Sequence, residues 1–144
     1  MELAAWRIQS SIDAVNMSIA GLNSSIQNYE NRRTNLQNIK EKHQERIDNL
    51  QNSYNKVNNS VHLLPIKRAD IFEGEMEISL TILVENEFTT VLNALNRGKE
   101  VGVAIDAQVS TINTKIATLE AQKGNLSTNL TNLRNDLLHA RRNG

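Results

Sequence analysis

An all-α fold, a long antiparallel two-helix hairpin of the coiled-coil type, is predicted by three observations. Apolar residues recur in alternating steps of four and three along two long stretches, Pro65 is the only proline and separates the two, and only six glycines interrupt 144 residues. Aromatic residues make up 3% and hydrophobic residues 39% of the chain, which limits the globular core it can build and favours an extended arrangement. The organisation that follows is one helical-hairpin domain over 1–144, with helix one at about 3–62, a turn at about 63–70 and helix two at about 71–142.

Helix one is written in its seam. Ile8, Ile12, Val15, Ile19, Leu22, Ile26 and Tyr29 follow the heptad rule, and with Ile12 as position a the register runs on through Arg33, Leu36, Lys40, His43, Ile47, Leu50, Tyr54, Val57, Val61 and Leu64. A helix of roughly 55 residues, on the order of 80 Å long, follows at 1.5 Å per residue. Pro65 disfavours helical geometry at Leu64 and lacks a backbone donor, so the helix is expected to end between Ser60 and Leu64.

The connection reads VHLLPIKRAD, and its last residue, Asp70, suits a helix N-cap, with Glu73 three residues on. Helix two then starts at about Ile71. Its seam opens with Phe72, Met76, Leu80 and Leu83, and shifts by a stutter to Val84, Phe88, Val91, Leu95, Gly98, Gly102, Ile105 and Val109. From there Ile112, Ile116, Leu119, Lys123, Leu126, Leu130, Leu133 and Leu137 keep the same alternation. The stretch EISLTILV alternates like a strand, but its place between helical seams favours helix. A short connection makes the two helices antiparallel neighbours.

Such a hairpin buries one narrow stripe. Ile39, Leu63, Ile78, Ile82 and Leu92 lie off it, so a four-helix bundle, completed by a partner or by a second copy, is the expected means of covering them. Arg33, Lys40 and His43 interrupt the seam of helix one. A turn near 66–68 sets them opposite residues 89–103, where Gly98 and Gly102 leave room for long basic side chains and Glu100 is a possible counter-charge. These five residues, Arg33, Lys40, His43, Gly98 and Gly102, are the candidate partner-binding set. Polar seam positions also set register and oligomeric state without any partner. Each glycine costs about 1 kcal/mol in a helix interior, and close helix approach, a kink or room for a third helix would each compensate.

Several function classes are disfavoured. Sixteen basic residues balance sixteen acidic ones, giving no global field for nucleic acid. Cysteine is absent, which removes disulfides and thiolate chemistry. No apolar run approaches the length of a membrane span, and Glu2, Arg7 and Asp13 interrupt any cleavable signal sequence at the start. His43, His62 and His139 have no metal-ligand spacing, and no phosphate loop or nucleophile elbow occurs, so no catalytic, metal or cofactor residue is assigned. Glu73, Glu75, Glu77, Glu85 and Glu87 form an acidic segment, of which the first three suit the positive end of a helix dipole, while Arg141 and Arg142 suit the negative end.

The tripeptide FEG, Phe72 to Gly74, stands beside the expected turn of a cysteine-free, neutral helical hairpin. In this the chain resembles the WXG-type proteins of Gram-positive type VII secretion, whose W-x-G lies at the turn of an antiparallel hairpin. Its length is similar to that of the longer members that accompany LXG toxins. The resemblance implies that Phe72 substitutes for the motif's Trp and that Gly74 matches its Gly. It further implies a non-enzymatic accessory or substrate of the secretion system, which binds an LXG toxin or a small WXG-like helical protein and helps target it for export. The location implied is cytoplasmic, with export open to it without a cleavable signal. The family's second signal, an aromatic residue four positions before Asp or Glu near the end of helix two, is absent from LLHARRNG, so the resemblance implies an export signal that is either degenerate or contributed by a partner. The alternative reading is a cytoplasmic homodimeric coiled coil serving as a structural or export-apparatus adaptor.

Overall fold

The computed structural model describes residues 2–61 and 75–143, with side chains over 3–59 and 85–143. Among the described residues the only secondary structure is helical: α1 spans Glu2–Val61 and α2 spans Glu75–Arg142. The two helices pack against each other as an antiparallel hairpin. Contacts cluster into two units, one of residues 1–35 with 108–144 and one of residues 36–107.

Both helices are rich in Asn, Ser and Thr, which are indifferent helix formers because their side chains compete for backbone partners. Here many of these groups are tied into the helix itself. Gln9 donates to Asp13, Gln27 to Asn31, Gln44 to Asp48 and Gln51 to Asn55, all one turn apart and at 2.9–3.1 Å. Each such pair contributes about 0.2–0.5 kcal/mol. Thr34, Thr89, Thr90, Thr114, Thr118, Thr128 and Thr131 return their hydroxyls to the carbonyl four residues back. At the C-terminal end of α2, His139, Arg141 and Arg142 occupy the last turn, where positive charge meets the helix dipole, and Asn143 N–H closes on the His139 carbonyl at 3.0 Å.

These local bonds are small, and the seam supplies most of the stability. In the first unit Ile12, Leu130 and Leu137 form a buried cluster, with Ala5, Ile8, Val15, Ile19 and Leu133 packed around it. Ile26, Ile112 and Ile116 are also buried in that unit. In the second unit the buried residues are Ile47, Leu95 and Ile105. Leu95, at 1% exposure, is the only fully buried large side chain among the described residues. Tyr54 and Phe88 meet edge to face, with centroids 5.3 Å apart and planes at 87°, an arrangement worth about 0.5–1.5 kcal/mol beyond its buried area.

The expected seam matches the observed burial along α2 from Phe88 to Leu137 without exception, and along α1 from Ile8 to Tyr54. It fails at Val57, which is 53% exposed while the next residue, Asn58, is partly buried. A helix turns once per 3.6 residues and a heptad seam once per 3.5, so the buried position drifts toward the following residue. Off the seam, Ile39 and Leu92 are exposed, as expected. The side chains of Leu63, Ile78 and Ile82, the turn with Pro65, the cap at Asp70 and the start of helix two at Ile71 lie outside the described residues. So do Phe72 and Gly74.

The register differs from the expected one. Arg33 bonds Asn113 and Lys40 bonds Asp106, each pair symmetrical about position 73. Arg33 therefore meets α2 about three turns further on than a turn at 66–68 implied. A heptad seam repeats, so sliding one helix by seven residues returns apolar positions to apolar positions, and Pro65 alone was a poor guide to the midpoint.

Replacing Leu95 by Ala should lower unfolding stability by about 3 kcal/mol, whereas Val57→Ala should change it by less than about 0.5 kcal/mol. Urea denaturation followed by circular dichroism measures both, and equal losses would contradict the assigned seam.

Candidate functional site

The heptad puts Arg33, Lys40 and His43 on the face that α1 turns to α2, where an apolar residue would be buried. All three solve the problem by reaching a polar group on α2. In the first unit, Arg33 Nη1 donates to Asn113 Oδ1 at 2.9 Å. In the second, Lys40 Nζ donates to Asp106 Oδ1 at 2.5 Å, forming an ion pair whose side chains are 43% and 56% exposed. At that exposure the pair contributes about 0–1 kcal/mol, so its main effect is on register. The counter-charge of Lys40 is thus Asp106 and not Glu100. Sequence reasoning missed Asp106 and Asn113 because the pairing midpoint had been placed too early.

His43 behaves differently. Its Nε2 lies 2.6 Å from the Gly98 carbonyl. That oxygen can only accept, so Nε2 carries the proton. A helical carbonyl already accepts the N–H four residues on and keeps a second lone pair, which His43 fills.

This contact depends on Gly98. A Cβ added there would overlap Ile47 Cδ1, and would lie 3.4 Å from Ile47 Cγ1 and 3.8 Å from His43 Cε1. The glycine therefore lets the two backbones approach at this turn. Gly102, four residues on, has nothing within 4 Å of the same ideal Cβ. Of the three compensations open to the glycines, close approach applies to Gly98 and open space to Gly102. Neither sits opposite Arg33 or Lys40, so making room for those long side chains is not their role.

The candidate set thus divides: His43, Gly98 and Ile47 form one tight contact, Lys40 and Asp106 a second, and Arg33 and Asn113 a third, while Gly102 faces open space. In the first unit the structure adds a cluster that sequence reasoning passed over. Arg32 Cζ lies 5.8 Å and Lys115 Nζ 5.6 Å from the centroid of the Tyr29 ring. The signal was present, since Arg32 and Lys115 both fall at heptad position g, beside the seam position of Tyr29.

Among the described residues no three His, Asp or Glu side chains gather at metal-binding distance. Nor is any described helix long and apolar enough to cross a membrane. Comparison with protein-family models, with curated proteins and with solved structures returns no match. The arrangement defines a helical hairpin with an apolar seam interrupted by polar contacts at Arg33, Lys40 and His43, and with exposed apolar side chains, among them Trp6 at 66%, Leu92 at 43% and Val103 at 69%.

Gly102→Ala should stabilise the protein by about 1 kcal/mol, through helix propensity alone. Gly98→Val should destabilise it by about 1–3 kcal/mol, because the added carbons must displace Ile47. Thermal unfolding of the two variants side by side checks this, and a stabilising Gly98→Val would remove the close approach.

Proposed function

We propose that this chain is a non-enzymatic, WXG-like accessory or substrate of a type VII secretion system. In this reading it binds an LXG toxin or another small helical protein in the cytoplasm, completes a helical bundle with it and helps target it for export. The observation that carries the proposal is the register: Arg33–Asn113 and Lys40–Asp106 are both symmetrical about position 73, and position 73 is the middle residue of Phe72–Glu73–Gly74. A W-x-G-like tripeptide at the numerical midpoint of an antiparallel pairing agrees with the family pattern better than the turn at 66–68 did. The exposed apolar side chains Leu92, Val103 and Ile39 further support a bundle with more than two helices.

In mechanism, such a protein acts by burial and not by chemistry. A two-helix hairpin leaves apolar side chains in water, and a helical partner that covers them shields its own apolar face in the same contact. Partner choice then rests on the flanks of the seam.

The direct test is light-scattering mass of the purified protein, alone and co-expressed with the toxin or small helical protein encoded beside it. A stable complex with that neighbour is the expected result. Phe72→Ala should leave helicity nearly unchanged while reducing capture or export of the partner. A tight homodimer that ignores its neighbour would favour the structural coiled coil instead.

A further inference from the structure

Along α1 in the first unit, the two flanks of the seam are chemically unlike. On the g and c positions the residues from 11 to 25 are Ser11, Ala14, Ser18, Gly21 and Ser25, and the charged residues of that flank are Arg7 and Arg32. The carboxylates Asp13 and Glu30 fall on the opposite flank, at positions b and e, among large amides such as Gln9, Asn16, Asn23 and Gln27. One side of this helix is thus small and cationic, the other bulky and anionic.

The small side faces an open groove of about 670 Å³ between the two helices. Leu22 and Leu126 form its apolar floor, and Ser18, Gly21, Ser25 and Gln122 its walls. Nothing lies within 4 Å of the position a Gly21 Cβ would take. About one turn beyond Ser25 along α1 begins the Tyr29 cluster, where Arg32 and Lys115 converge from opposite helices on one ring. Neither cation has a carboxylate within 4.0 Å among the described residues. On the same flank of α2 the nearest carboxylate is Asp136, three heptads from Lys115 and about 30 Å away along the helix. Two cations drawn to one ring, neither paired with a carboxylate, make a positive spot that an anionic side chain complements.

We propose that this groove docks one helix of a different protein, whose small or apolar stripe lies over Leu22 and Leu126 and whose glutamate or aspartate side chains meet Arg32 and Lys115. The missing side chain at Gly21 lets the helix axes approach, and the cations set where along the groove the visitor stops. A second copy that pairs this face with itself fits less well, because the matching flank of α1 offers it only Arg7 and Arg32. This inference rests on the reading of the protein as a partner-binding hairpin, and gives that reading its surface.

The probe is a synthetic helix of about twenty residues with an alanine and leucine stripe flanked by glutamates, compared with the same peptide carrying glutamine at those positions. Titrated into the full chain at low salt, the glutamate peptide should bind about tenfold more tightly than the glutamine one, and the difference should shrink as salt rises. Backbone amide shifts should change at Ser18, Gly21, Ser25 and Gln122. Gly21→Leu places its Cβ in open space and its remaining carbons in the groove, so it should keep or raise thermal stability while abolishing binding. The double variant Arg32→Glu, Lys115→Glu should lose the preference for glutamate. Equal binding of the two peptides, or undiminished binding by Gly21→Leu, overturns the proposal. A homodimer that Gly21→Leu dissociates overturns it too, assigning the face to a second copy. Capture of the neighbour-encoded protein that neither variant weakens sinks this surface but leaves the secretion reading in place. Peptide binding that follows the pattern, without capture of the neighbour, supports the surface and removes that reading.

Discussion

The apolar seam between α1 and α2 carries most of the drive to fold, because neither helix is a strong one by itself. Their sequences are filled with Asn, Ser and Thr, and the turn-to-turn bonds that those residues make are each worth only a few tenths of a kilocalorie. Burial of Ile12, Leu130 and Leu137 in one unit, and of Ile47, Leu95 and Ile105 in the other, does what propensity does not. Everything outside the seam is consequently free to vary with function, since a residue on a flank can change without costing the fold much. The unequal flanks of α1 use that freedom.

A seam alone leaves the register open. Each seven-residue slip restores apolar contacts, so the choice among slips falls to features that do not repeat. A slip of one heptad in either direction sets Lys99 or Asn113 opposite Lys40 in place of Asp106, and His43 with Ile47 needs a residue without a Cβ across from it. Tyr54 and Phe88 likewise find each other's rings only when the midpoint lies in the low seventies. Each contact is weak or partly exposed, yet each penalises the alternatives, because a slip leaves a charge or a bulky side chain facing the wrong group.

Much of this was legible in the sequence, and the limits have physical causes. Heptad spacing identified the helices and nearly every buried residue, since periodicity depends only on neighbours along one chain. Val57 escaped because a spacing rule of 3.5 accumulates error against a helix of 3.6. The partners of Arg33 and Lys40 escaped because pairing depends on a midpoint that local spacing does not encode, and a proline marks where a helix stops without marking where the hairpin is centred. His43 and Gly98 stand out in the sequence as exceptions in an apolar seam, and the structure joins them in one contact. Tyr29 does not stand out, because a tyrosine in a seam looks like core until the cations beside it are known.

The contacts also differ widely in how much chain they enclose. Tyr54 and Phe88 are separated by 34 residues, Lys40 and Asp106 by 66, Arg33 and Asn113 by 80, and Ile12 from Leu130 by 118. Loop-closure entropy grows slowly with length, by about 0.6 kcal/mol per doubling, and each contact made shortens the loop that remains for the next. On entropy alone the aromatic pair closes first and zips outward, so the Ile12 cluster, although built from three well-buried aliphatic side chains, is the last to assemble. Burial and order of formation therefore run in opposite directions along α1. The same end of the helix that is held by the buried Ile12 cluster is the one that a folding chain, or a nascent one, leaves open longest.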